Sequence, residues 1–298
     1  MPASEENFQR SSDLLHKISA GPPDGPLVVL LHGFPDFSFG WRHQIGPLAK
    51  AGFRVLAPDQ RGYGLSEKPP AIDDYRIDRL VDDVLRLADE VGHRRFSVVG
   101  HDWGGIVAWW LAMSHPDRVE RLAILNAPHP ATLRGHMAAH PGQLLKSWYV
   151  GFFQLPGLPE RLMRAGGFRM AERALTSTSR PGTFGPEDLA RYRKAWALPG
   201  ALTGMLNWYR ALRRNPRPPT GRIRCRTLIV WGDRDAFLDR GLAEAAAGLC
   251  DDVRLVHLEQ ASHWVQHEEA ETVNRLLADF LVHGTTDTRM RKPLCDRT

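Results

Sequence analysis

The stretch GHDWGG, residues 100–105, decides how this chain is read. It has the Gly-x-nucleophile-x-Gly frame of a nucleophile elbow, a sharp turn from a strand into a helix where serine is the usual central residue. Here the central residue is Asp102. Gly100, Gly104 and Gly105 supply the small neighbours that a tight turn needs. The positive end of the following helix favours an ionised carboxylate at that point. An Asp that merely caps a helix is common, but capping does not call for the glycines around it.

Working outward, RFSVVG (95–100) leads into the elbow as a buried strand, and WGGIVAWWLAMSHP (103–116) leaves it as a helix that Pro116 stops. Upstream, GPLVVLLHG (25–33) and FRVLAPD (53–59) are continuous apolar runs of the kind found in parallel strands covered on both faces. Downstream, RLAILN (121–126), RTLIVWG (226–232) and VRLVHL (253–258) repeat the pattern. YRIDRLVDDVLRLADEVG (75–92) has apolar residues at three- and four-residue spacing, an amphipathic helix ended at Gly92. AETVNRLLADFLV (270–282) is a second one. Strands alternating with helices give an α/β fold with a mostly parallel sheet flanked by helices.

Between 131 and 216 no buried strand is legible, and the composition shifts to Trp, Phe, Arg, Met and Gly. This segment reads as an inserted helical cap, leaving 1–130 and 217–298 as the core domain. The tail from Gly284 is polar and non-periodic, and reads as frayed.

At 298 residues, 43% hydrophobic and 24% charged, the chain has the make-up of a globular protein. The N-terminus lacks an apolar signal core, and the longest apolar runs are far below the roughly 20 residues of a membrane span. Cys225, Cys250 and Cys295 are scattered and odd in number, so neither a disulfide framework nor a metal cluster is expected. The simplest expectation is a reducing cytoplasm. The net charge of +5 includes a basic run at 213–226. No nucleic-acid motif accompanies it, so the run reads as a solvated face or hinge and no nucleic-acid partner is expected.

A nucleophile at an elbow needs an acid and then a His later in the chain. WGDRDAFL (231–238) offers Asp235 as the orienting acid, with Asp233 as the alternative. EQASHWVQHE (259–268) offers His263 as the base, whereas His267 opens the next helix and reads as a surface or capping residue. HGFPD (32–36) supplies the Phe34 N–H, which with the Trp103 N–H forms an oxyanion hole.

The aspartate selects the chemistry. Serine displacing a leaving group at a saturated carbon would form an ether and stop. A carboxylate forms an ester instead, and water activated by His263 can hydrolyse it. The substrate therefore carries an epoxide oxygen or a halide on sp³ carbon.

HGFP, GHDWGG, NAPHP, WGDRDAFL and ASHWVQHE, in this order and over roughly residues 13–283, resemble the α/β-hydrolase-fold epoxide hydrolases. The resemblance implies two cap tyrosines that hydrogen-bond the epoxide oxygen and protonate the leaving alkoxide. SWYVGFFQLPG places Tyr149 and LNWYR places Tyr209, both in the helical insertion. A phenol of pKa about 10 is protonated at neutral pH and suits the task. Haloalkane dehalogenases share the Asp and its Trp, but many carry Asn where Phe34 stands. Fluoroacetate-type dehalogenases usually have Arg in place of Trp103. A silent ligand-binding receptor on the same fold would show a broken catalytic set. The expectation is a small apolar epoxide and water as partners, no metal or organic cofactor, and a monomer or homodimer. Phe37, Phe153 and Trp264, with Phe34 and Trp103, are expected as pocket walls.

Overall fold

The computed structural model describes residues 15–282. The N-terminal segment, Cys295 and the polar tail discussed above lie outside the described residues.

Among the described residues seven strands form one sheet: β1 (Lys17–Ala20), β2 (Leu27–Leu31), β3 (Arg54–Pro58), β4 (Phe96–His101), β5 (Val119–Leu125), β6 (Arg226–Gly232) and β7 (Val253–Leu258). Their order is β1-β3-β2-β4-β5-β6-β7. β1 pairs antiparallel with β3, and every other pairing is parallel. The central strands β2 and β4 are buried along their whole length, as continuous apolar runs covered on both faces must be.

Helices α1 (Arg42–Lys50), α2 (Ile77–Glu90) and α3 (Trp103–Ser114) follow β2, β3 and β4. On α2 the apolar spacing comes true as a buried stripe of Ile77, Leu80, Val81, Val84, Leu87 and Ala88. α3 is apolar on nearly all sides and correspondingly buried. Alternate residues of the strands feed two apolar layers: Val29, Leu31 and Val98 face one, and Val28, Leu30 and Val99 face the other.

After β5 the chain forms only helices until β6: α4 (Pro130–Ala139), α5 (Pro141–Lys146), α6 (Trp148–Phe152), α7 (Leu158–Thr176), α8 (Pro186–Ala197) and α9 (Ala201–Arg210). α7 is broken at 165–168, where Gly166 and Gly167 have positive φ. Among the described residues three more helices follow: α10 (Gly241–Ala247), α11 (Val265–Glu268) and α12 (Ala270–Val282). Among the described residues no helix is long and apolar enough to cross a membrane.

Candidate active site

Asp102 stands between β4 and α3 with φ 50° and ψ −122°, a conformation L-residues rarely adopt. Holding it costs about 1–3 kcal/mol, which the surrounding packing must over-determine. The glycines make this turn feasible: a Cβ on Gly104 would run into the backbone of Leu31 and His32, and one on Gly33 into the Asp102 side chain itself. The carboxylate can therefore lie against the loop that follows β2. Phe34 N–H donates to Asp102 Oδ1 at 2.8 Å. Trp103 is the first residue of α3, where N–H groups lack an intrahelical acceptor.

Asp102 Oδ2 lies 3.5 Å from His263 Nε2. On the other side of the ring, His263 Nδ1 is 2.7 Å from Asp235 Oδ2. Asp235 is held in turn: Asn126 Nδ2 donates to Oδ2 at 2.8 Å, and the N–H groups of Phe237 and Leu238 donate to Oδ1 at 2.7 and 3.0 Å. Asp233 is occupied elsewhere, 2.5 Å from His257 Nδ1. Of the two acids considered for the His263 partner, the structure brings Asp235 to the ring.

Burial works against a charged His263, but the carboxylates of Asp235 and Asp102 outweigh it and lift the imidazole to about 10. Burial also works against the charge on Asp102, and the His263 bond and charge hold it below the ordinary carboxylate value all the same. Beneath the pair, His101 Nε2–H donates to the His263 carbonyl at 2.8 Å, and Gln266 Nε2 donates to His101 Nδ1 at 3.2 Å. Burial holds His101 down at about 4, so it serves as a neutral strut.

A cavity of about 530 Å³ opens onto Asp102, lined among others by Trp103, Tyr149, Tyr209, Trp110, Leu133 and Met137. Tyr149 and Tyr209 stack edge to face, ring centroids 6.0 Å apart, and Tyr209 also packs edge-on against Trp103 at 5.1 Å. Burial first, then the Asp102 charge, raises Tyr149, so it stays a phenol. Burial raises Tyr209 well above its ordinary value too.

The expected walls need correction in part. Phe153 packs on Phe34, Tyr149 and Tyr209, behind the tyrosines and outside the cavity lining. Trp264 is sealed behind His263 and His101, and its Nε1–H donates to Thr178. Phe37 faces a different cavity, of about 710 Å³, with Phe39 and Leu198. Phe34 reaches Asp102 through its backbone N–H, while its ring packs on Phe153 and Tyr209 outside the cavity lining, so of the five expected walls Trp103 alone lines this cavity.

His267 also differs from its reading as a surface group. It is buried in α11, accepts from Arg42 at Nδ1 over 2.9 Å, and therefore carries its proton on Nε2, 3.5 Å from Asp36 Oδ2. Asp36 Oδ1 accepts from the Tyr192 hydroxyl at 2.9 Å. Asp36 thus ties the Phe34 loop to α8 of the helical insertion and to the segment carrying His263. Neither Asp36 nor Asn126 stands out in the sequence, although HGFPD and NAPHP contain them. Among the described residues no group of three or more His, Cys, Asp or Glu is arranged to hold a metal ion.

A family model described as the alpha/beta hydrolase fold matches residues 26–270. The chain is 46% identical over 270 residues to the AB hydrolase superfamily protein YfhM of Bacillus subtilis, covering 90% of this chain and 94% of that protein. It is 37% identical over 276 residues to human epoxide hydrolase 4, covering 91% and 76% of the two chains. Among solved structures, the Bacillus megaterium epoxide hydrolase in complex with an inhibitor superposes with a TM-score of 0.82 at 31% identity, covering 90% of this chain and 96% of that one. An epoxide hydrolase from hot-environment metagenomes gives the same TM-score at 34% identity, covering 91% and 95%. Strand order, elbow and sequence agree, and the chain belongs to the epoxide hydrolase family of the α/β-hydrolase fold.

Proposed function

We propose that this enzyme opens a small apolar epoxide to a vicinal diol through an ester on Asp102. The observation that carries the reading is the meeting of one carboxylate and two phenols, Tyr209 buried and Tyr149 half-buried, on one cavity. A halide needs no proton on departure, whereas an epoxide oxygen does. In this reading the helical segment 131–216 is a cap over the core of 1–130 and 217–298.

Asp102 Oδ2 attacks one epoxide carbon while its partner oxygen Oδ1 stays on Phe34 N–H. The C–O bond breaks, and Tyr149 or Tyr209 gives its proton to the leaving oxygen, a stronger base than the phenolate left behind. Esterification removes the negative charge of Asp102, one of the two carboxylates that hold His263 protonated. The imidazolium then returns a proton to the tyrosine and becomes a base, held by Asp235. It takes a proton from water as the water oxygen attacks Cγ of Asp102. The tetrahedral oxyanion sits on Phe34 and Trp103 N–H groups. Collapse breaks the ester C–O bond, the departing alkoxide takes the remaining proton of the added water, and the diol leaves with Asp102 restored as a carboxylate and His263 as an imidazolium.

A panel of epoxides and haloalkanes tests the reading. Diol formation with no halide release is the result it requires; halide release with inert epoxides would overturn it.

A further inference from the structure

The helical insertion carries a surface that its proposed catalytic role does not use. Residues 131–216 contain thirteen Lys and Arg against four Asp and Glu, a net charge of +9, while the rest of the chain is at −4. Its outer helices also expose large apolar side chains in succession: Leu144 at 58%, Leu145 at 76% and Trp148 at 68%, then Leu155, Leu158, Leu162 and Met170. Such clustering marks an interaction surface, since isolated exposed apolar residues are ordinary but runs of them are not.

The charge on this surface is available. On α7, Glu160 is paired with Arg210 and Glu172 with Arg193, so arginines of α8 and α9 already neutralise both acids. Arg161, Arg164, Arg169 and Arg173 are exposed and form no ion pair among the described residues. The inward residues of the same helix, Met163, Ala171 and Leu175, are buried. The outer face of α7 therefore alternates arginine with Leu and Met.

We infer that the outer face of α5–α7 docks on the surface of an anionic lipid bilayer. Leu145, Trp148, Leu158 and Leu162 enter the headgroup boundary, and the arginines meet lipid phosphates and carboxylates. Charge decides against a second copy of this chain as the occupant, because self-association through the patch would bring two segments of +9 together. Continuity with the active-site cavity favours the bilayer: Leu144 and Leu212 are exposed and also line the cavity that reaches Asp102. An apolar molecule dissolved in the membrane meets that mouth without crossing water. The docking rests on the surface itself and holds whatever leaving group Asp102 displaces.

The test is flotation of the whole protein with vesicles of phosphatidylcholine, with and without about one-third phosphatidylserine. Binding to the mixed vesicles, absent on phosphatidylcholine alone and reversed by salt, is expected. Arg164→Gln/Arg169→Gln/Arg173→Gln should lower the partition coefficient about 10²-fold, about 5-fold per charge. Leu145→Ser/Trp148→Ser should lower it about 10-fold or more. Far-UV circular dichroism checks that each variant is folded. Failure of the unmodified protein to float, or folded variants that float as well as it does, would overturn the inference. So would a dimer in sedimentation equilibrium that Leu145→Ser/Trp148→Ser dissolves, which would assign the patch to self-association.

Discussion

His263 Nε2 sits 3.5 Å from Asp102 Oδ2 while its Nδ1 is bound to Asp235 Oδ2 at 2.7 Å, so one imidazole lies between two carboxylates. Both carboxylates raise its pKa against the effect of burial. In the proposed mechanism, forming the ester removes one of them, which would convert a resting acid into a base at the step that needs a base. His263→Gln should leave alkylation intact and block hydrolysis. Intact-protein mass spectrometry should show an adduct of the epoxide's full mass, and turnover should fall about 10³-fold, within the range for general base catalysis.

Tyr149 and Tyr209 are held as phenols by burial and by the nearby Asp102 charge. Replacing either by Phe should slow alkylation by about 10²-fold and leave hydrolysis of the preformed ester unchanged. Rapid-quench measurement of ester formation and decay separates the two steps.

Asp36 joins the Phe34 loop to Tyr192 of α8 and to His267 of α11. Asp36→Asn keeps an acceptor for Tyr192 but loses the negative charge and turns an amide NH₂ toward the protonated Nε2 of His267, so the loop loses part of its anchoring while Asp102 and His263 remain. The hydrolytic step, which in the proposed mechanism uses the Phe34 N–H, should slow by about 10-fold or more, since removing one oxyanion donor outright costs about 10²–10³-fold. Tyr192→Phe removes a single bond and should have a smaller effect in the same direction. A change in substrate KM alone, with ester hydrolysis untouched, would contradict this role.

Burial lowers both His101 and His129 to about 4. Between the unfolded value near 6.5 and the folded value near 4, the unfolded chain binds more protons. Stability should therefore fall as pH drops through that window. His129 also caps α4, accepting from Ala131 N–H at 3.2 Å. His129→Asn keeps a capping acceptor and has nothing to titrate. The difference in urea-unfolding free energy between pH 7.5 and pH 5 should shrink in that variant; an unchanged difference would remove His129 from the account.

The parts of this site that follow local rules were legible in the chain. Three glycines around Asp102, Asp235 after a strand and His263 after the last strand each announce themselves by position, and the structure brings all three side chains to one place. β1 was not legible, because HKISA has no apolar run and exists through its pairing with β3. Phe37 and Phe34 are three residues apart in one aromatic loop, and only the turn between them determines which one's N–H reaches Asp102. His267 resembled a surface group because its partners Arg42 and Asp36 lie more than 200 residues away in sequence. Long-range polar pairing of this kind leaves no mark at either position.

The central claim is that Asp102 becomes an ester, and a single turnover in H₂¹⁸O with enzyme in excess tests it most directly. The account predicts label in the carboxylate of Asp102, found by peptide mass spectrometry, and an unlabelled first diol. A first diol carrying ¹⁸O, with Asp102 unlabelled, would mean direct attack by water and would contradict it.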